Sequence, residues 1–204
     1  WFYLVMTAIE AVGGKMINII VDVYTTSGLN SGKEPTTVLT SGLLTTKLKE
    51  FRMGINECTS ILKRMHEKCK PDVFYNILRP YLNGSTNNGF FPNGVLYQGT
   101  NNDLPVRLAG GSAGQSSLMP CWDVFLGINL TKKDSSEFRQ EMKDYMPRSH
   151  REFLTYLKNC NFPLRQKVIE FGSETIGAYN DCIKSFSNFR SEHMLLVTKY
   201  IVRQ

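Results

Sequence analysis

The chain has only three histidines and no H-E-x-x-H, so the usual helical zinc hydrolase signature is missing. Its five cysteines (Cys58, Cys69, Cys121, Cys160, Cys182) form no C-x-x-C pair, which removes a zinc ribbon and a covalent c-type haem attachment. Five is an odd count, and it fits reduced thiols in a cytosolic protein. The excess of 24 Lys and Arg over 18 Asp and Glu is scattered, without a basic block or an aromatic RNA-reading motif, so no nucleic-acid partner is expected. No basic stretch or cleavage-site pattern marks a signal peptide. Runs of alternating strand residues, internal repeats and low-complexity tracts are also missing. What remains is a chain of 204 residues, 42% hydrophobic and 11% aromatic, enough for one large core. The expected class is all-α, a single multi-helix domain over residues 1–204 with long loops.

The most apolar segment, Trp1–Tyr24, has the length of a membrane span. Glu10, Lys15 and Asp22, with Gly13-Gly14 between them, point instead to a helix buried on most sides and to no membrane partner. Thr25–Thr37 is loop by composition. Leu44, Leu48, Phe51, Ile55, Cys58, Leu62, Met65 and Cys69 then repeat in steps of four and three, a heptad seam that suits a helical bundle or a coiled-coil partner. His66, beside the seam among charged residues, reads as surface. Pro71 opens a short helix that Pro80 is expected to interrupt. Arg79 follows Phe74, Tyr75, Ile77 and Leu78, and an arginine on so apolar a face either snorkels or meets an anion.

Gly84–Gly111 is a long irregular stretch rich in turn signals, and such a loop in a compact domain is usually functional. It runs into Ala109-Gly-Gly-Ser-Ala-Gly-Gln-Ser-Ser117. No G-K-[ST] follows, so the small residues suit a backbone wall against a planar ligand better than a phosphate cradle. A helix Ser117–Ile128 carrying Trp122 and Asp123 comes next. Asp134 with Glu137, and Ser149 with Glu152, have capping-box spacing ahead of short helices at Phe138–Tyr145 and Arg151–Leu157. Pro163–Phe171 is another, stopped by Gly172.

The final helix has apolar residues at Ile183, Phe186, Phe189, Leu196, Val197, Tyr200 and Ile201, and it puts His193 into that stripe. Arg190 stands one turn earlier on the same side. Two readings suit this pair. The imidazole is a core histidine bonded to a backbone carbonyl, or it ligates the iron of a porphyrin whose propionate meets Arg190. In a third reading the heptad seam binds a partner and His193 is simply core.

Leu78-Arg79 before a turn, Gly110-Gly-Ser-Ala-Gly-Gln-Ser-Ser117, Asp144-Tyr-Met-Pro-Arg-Ser-His-Arg-Glu-Phe153, and Arg190-Ser-Glu-His193 with Val197-Thr-Lys-Tyr-Ile201 occur in that order. Together they resemble the indoleamine 2,3-dioxygenase family from Phe2 to Ile201. The resemblance implies haem b (iron protoporphyrin IX) with His193 as proximal iron ligand. It implies Arg190 at a propionate, Asp123 holding that region, and Ser112 and Val197 at the cofactor. It assigns Arg79 to the substrate carboxylate and Phe2 and Phe74 to the indole. Gly111, Ser112 and Ala113 become the distal wall, and His150 is left structural. The activity implied is O2-dependent opening of the indole ring of L-tryptophan or a related indoleamine, giving N-formylkynurenine, in a monomeric cytoplasmic protein of tryptophan catabolism. Some gastropod myoglobins resemble this same family, so a haem oxygen carrier without dioxygenase activity is the alternative.

The sequence departs from the family at Met6, where some members carry a small hydroxyl residue. The chain begins at Trp1 inside an apolar run and stops at Gln204 with the helical pattern unfinished. The family's small N-terminal domain and its Gly/Thr-rich gating loop have no counterpart here. The expectation is most of the large haem-binding domain, a piece that need not be active alone.

Overall fold

The computed structural model describes residues 1–28, 38–86, 88–129, 134–160 and 162–202. Among these the fold is all-α, its only extended pairing being an isolated antiparallel bridge between Val95 and Val106.

Three long helices make the frame: α1 (Phe2–Thr26), α2 (Ser41–Lys63) and α10 (Ser173–Val197). The heptad seam is the middle of it. Leu44, Leu48, Phe51, Ile55, Cys58, Leu62 and Met65 are all buried, while Cys69 is partly so. Their partners are α1 and α10, so the bundle use of the seam prevails over an external coiled coil. The ion pairs give the directions. Lys49–Glu174, Arg52–Asp181 and Lys63–Glu192 advance together along α2 and α10, which therefore run parallel. Asp22–Lys47 at one end and the Trp1 indole N–H on the Arg64 carbonyl at the other make α1 antiparallel to α2. A buried polar seam joins α2 and α10 at their starts, where the Thr45 and Thr175 hydroxyls lie 2.9 Å apart.

Helix α1 is not buried on most sides. Val5, Ile9, Val12, Met16, Ile20 and Val23 face the core, whereas Tyr3 and Leu4 are exposed along with Glu10, Lys15 and Asp22. Its main partners are α2 and α6, so one face packs and the charges occupy the other. By length and composition it is apolar enough to cross a membrane. The helix continues through Thr26 into a turn at Ser27–Gly28, and the rest of the expected loop lies outside the described residues.

After α2 come α3 (Met65–Lys68) and α4 (Pro71–Val73), then a π-helical turn Phe74–Leu78 and α5 (Arg79–Leu82). Pro80 does not end the helical path. It sits in the first turn of α5, where a missing N–H costs nothing, and the register change is absorbed by the π turn before it. The loop from Gly84 to Ser117 returns to α6 (Leu118–Leu126), which lies close on α1: a Cβ at Gly13 would overlap the Leu118 side chain. Gly127 closes α6 in the left-handed region at φ 64°.

Helices α7 (Asp134–Asp144), α8 (Arg148–Cys160) and α9 (Leu164–Phe171) complete the domain. The Ser149–Glu152 capping box is not formed. Pro147 starts α8 one turn early, Ser149 falls inside it, and Glu152 pairs with Arg148 at 2.7 Å instead. The other proposed box rests on the Asp134 side chain, outside the described residues. Gly172, at φ 89°, ends α9 as expected. Trp122 of α6 is fully buried among Phe51, Phe186 and Phe189, so its ring is where α2, α6 and α10 meet. All five cysteines are free.

Candidate haem and substrate site

His193 lies on α10 and is partly buried; it makes no hydrogen bond to any described residue. Burial pushes its pKa below the ordinary imidazole value, so the ring is neutral at neutral pH. The core-histidine reading requires a hydrogen bond that is not there. A neutral ring with both nitrogens uncommitted is what an iron ligand needs.

One turn back, Arg190 pairs with Asp123 of α6, and its guanidinium lies 4.2 Å from the centroid of Phe186. Both charges are partly withdrawn from water, the side chains being 30% and 15% exposed. Desolvation raises the Asp123 pKa, against the pull of Arg190 and, more weakly, Arg139. The carboxylate thus fixes the arginine, which has further N–H groups beyond the one given to Asp123 to offer an acidic ligand. Together these features fit a haem whose propionate meets Arg190. Val197 is partly buried one turn beyond His193.

Arg79 lines a cavity of about 710 Å³ with Leu82, Gly84, Gly110, Gly111 and Ser112, closed on another side by Met142 of α7. Its guanidinium stacks on Tyr75 at 4.9 Å and forms no ion pair with any described residue. An unpaired arginine beside a backbone wall is suited to a carboxylate. Ala113, next in that wall, is exposed. The wall is built from within. Ser112 Oγ accepts from Gly114 N at 3.1 Å, Gln115 Nε2 donates to the Gly110 carbonyl at 2.9 Å, and Tyr145 Oη accepts from Ala109 N. Gly110 is small for a reason the sequence does not reveal: its Cβ would overlap the Leu82 carbonyl, so the protein itself excludes a side chain.

Phe2 and Phe74 meet at 5.0 Å between centroids with their planes tilted by 48°, joining α1 to the π turn that precedes Arg79. Met6, one turn after Phe2, is partly buried against the core. The candidate residues therefore form three groups: Arg190 with Asp123 near His193, Arg79 with Gly111 and Ser112, and Phe2 with Phe74. His193 and the two phenylalanines do not line the cavity that holds Arg79. A second cavity, about 660 Å³, reaches Asp123 and Gly114 from the side of α7 and α8.

Two site neighbours escaped sequence reasoning. Tyr200 was one residue of an apolar stripe, yet its ring meets Phe74 edge-on at 5.6 Å. His66 is exposed, but it is more than surface, for it stacks on Tyr200. No local pattern could have paired residues 134 positions apart. His150, left structural by the resemblance, has Nδ1 2.9 Å from the Ser117 hydroxyl.

The whole chain, residues 1–204, matches the family described as indoleamine 2,3-dioxygenase. It is 36% identical to indoleamine 2,3-dioxygenase 2 of Homo sapiens over 76% of this chain and 38% of that protein. Against indoleamine 2,3-dioxygenase of Saccharomyces cerevisiae it is 35% identical over 99% of this chain and 45% of the relative. A myoglobin of Haliotis madaka is 34% identical over 99% of this chain and 51% of its own length. The chain thus spans about half the length, or less, of these curated relatives. Match and motifs agree along its full length: the chain belongs to the indoleamine 2,3-dioxygenase family.

Proposed function

We propose that the protein is a haem-dependent dioxygenase that opens the indole ring of L-tryptophan, or a related indoleamine, to N-formylkynurenine. The observation that carries this reading is His193, neutral and without a hydrogen-bond partner among the described residues, one turn from the Arg190–Asp123 pair in a chain of this family. Haem b, when bound, supplies the O2 chemistry of insertion across the indole C2–C3 bond.

The chain's residues supply placement. His193 would hold the iron, with Arg190, Asp123, Ser112 and Val197 around the cofactor. Arg79 would form a charge-assisted bond to the substrate carboxylate, bidentate if both oxygens are reached. Phe2 and Phe74 would take the indole and exclude water from it. Gly111, Ser112 and Ala113 would give the distal side a backbone surface, with the Ser112 hydroxyl hydrogen still free to donate, since the oxygen only accepts from Gly114. No titrating acid–base pair is called for.

Residues 1–204 would then be one haem-binding domain. Free thiols fit a reducing, cytoplasmic setting and the reading needs only a monomer, with no membrane or nucleic-acid partner. The likeness to a myoglobin favours reversible O2 carriage as a second reading. Arg79 favours catalysis, because a carrier has no carboxylate to hold. The deciding experiment is turnover of L-tryptophan by the full-length, haem-loaded protein. N-formylkynurenine supports the dioxygenase; stable O2 binding without product supports the carrier.

A further inference from the structure

Two π-helical turns among the described residues, Phe74–Leu78 and Thr198–Val202, pack against one another. Such turns disturb the regular ladder and concentrate at functional sites. Tyr200 stands at their junction, 5% exposed, on the continuation of the helix that carries His193. Its hydroxyl donates to the Cys69 carbonyl at 2.7 Å. Its ring meets Phe74 at 5.6 Å and 87°, and His66 stacks on it at 5.7 Å and 23°. His66 Nδ1 is 3.2 Å from the same hydroxyl. That oxygen has one hydrogen, already directed at Cys69, so toward His66 it can only accept. Phe74 in turn meets Phe2 at 5.0 Å. A continuous run of rings, His66–Tyr200–Phe74–Phe2, joins the end of α10 to the first turn of α1.

We infer that Tyr200 is a positioning residue for the substrate's indole, holding Phe74 and, through it, Phe2. The inference rests on the dioxygenase reading above. Phe74 lies in a turn whose neighbours Val73 and Ile77 are 44% and 61% exposed, so its local segment gives the ring little support. Tyr200 provides that support twice. The ring edge packs on Phe74, and the hydroxyl ties the Cys69 carbonyl just before the Lys70–Pro71 start of that segment. Tyr200 has no need to touch substrate. It links the helix of the iron ligand to the aromatic pair by direct packing.

The test is Tyr200→Leu and Tyr200→Phe in the full-length, haem-loaded protein. L-tryptophan and cyanide are titrated against the haem absorption, alongside steady-state turnover. Tyr200→Leu is expected to raise the Kd and KM for L-tryptophan about three- to tenfold, the worth of one aromatic edge contact. kcat, the Soret maximum and cyanide affinity should stay near wild type, and Tyr200→Phe, which keeps the ring edge but not the Cys69 tie, should recover most of the tryptophan affinity. Unchanged tryptophan affinity in Tyr200→Leu overturns the inference, as does an equal loss of cyanide affinity, which would mean general loosening. If Tyr200→Leu does not fold, Tyr200→Met fills the volume without an aromatic edge and is read the same way. A wild-type protein whose haem does not respond to L-tryptophan, and which makes no product, overturns the dioxygenase reading and this inference with it.

Discussion

Removing Arg190 should cost more than removing the charge of its partner Asp123, and the difference should depend on pH. Arg190→Met removes a charge-assisted hydrogen bond, worth roughly 1.5–3 kcal/mol when partly buried, and the contact with Phe186, roughly 0.5–1 kcal/mol more. Asp123 stays behind in a site where desolvation already raises its pKa. Asp123→Asn keeps an acceptor oxygen for Arg190 and leaves no buried anion, so about 1–1.5 kcal/mol is expected. The predicted order is a loss of about 2–4 kcal/mol for Arg190→Met against about half that for Asp123→Asn, measured by urea unfolding of the haem-free protein at neutral pH. In Arg190→Met the Asp123 carboxyl loses its counter-charge and its folded pKa rises further above the unfolded value. The folded state then binds the extra proton in the window between those two values. Stability of the variant therefore falls as pH rises through that window, and the deficit shrinks on acidification toward the unfolded carboxyl pKa near 3.9. Haem retention at neutral pH should fall in both variants and further in Arg190→Met, which also lacks the propionate partner. Equal losses for the two variants, or an Arg190→Met deficit that does not change between neutral and mildly acid pH, would refute the reasoning.

His193→Ala should lose the wild-type Soret spectrum, with added imidazole restoring it; an unchanged spectrum would remove His193 from the iron. In the wild-type protein burial depresses the His193 pKa, so the unfolded chain takes the proton first. Its contribution to stability is complete above about pH 6.5 and is lost as pH falls from there toward the folded pKa, a slope that His193→Leu should abolish in haem-free unfolding. Arg79→Ala should raise the KM for L-tryptophan by roughly 30-fold or more, from about 2–5 kcal/mol of lost carboxylate interaction, with the haem spectrum intact. An unchanged KM would take Arg79 out of the site. Gly110→Ala should destabilise the domain by about 2 kcal/mol or more in thermal or urea unfolding, because its Cβ meets the Leu82 carbonyl and backbone has to move; a neutral effect would contradict the close approach.

Much of the architecture was legible because it follows from periodicity. The seam from Leu44 to Met65 buries where its spacing puts it, and Gly172 stops α9, since a helix end needs a residue that tolerates positive φ. Local rules failed where a neighbouring rule outweighed them. Pro147 started α8 before Ser149 could cap it, and a π turn let the chain pass Pro80. Helix α1 is apolar enough for burial on most sides, yet it is covered mainly on the face that meets α2 and α6.

For the site, the division lies between one helix and several. By itself the sequence set Arg190 and His193 on one face, three residues apart, and ordered the glycine-serine loop before them. It also kept Arg79 next to an apolar run. These are relations within a few turns of chain, which helical geometry determines. Only the tertiary structure decided that His193 has no hydrogen-bond partner among the described residues, that Asp123 is the counter-charge of Arg190 across α6 and α10, and that Gly110 is small because Leu82 passes it. Tyr200 changed from a stripe residue to the support of Phe74 in the same way. Burial, desolvation and ring contacts are properties of surfaces brought together from distant positions, and no spacing along the chain encodes them.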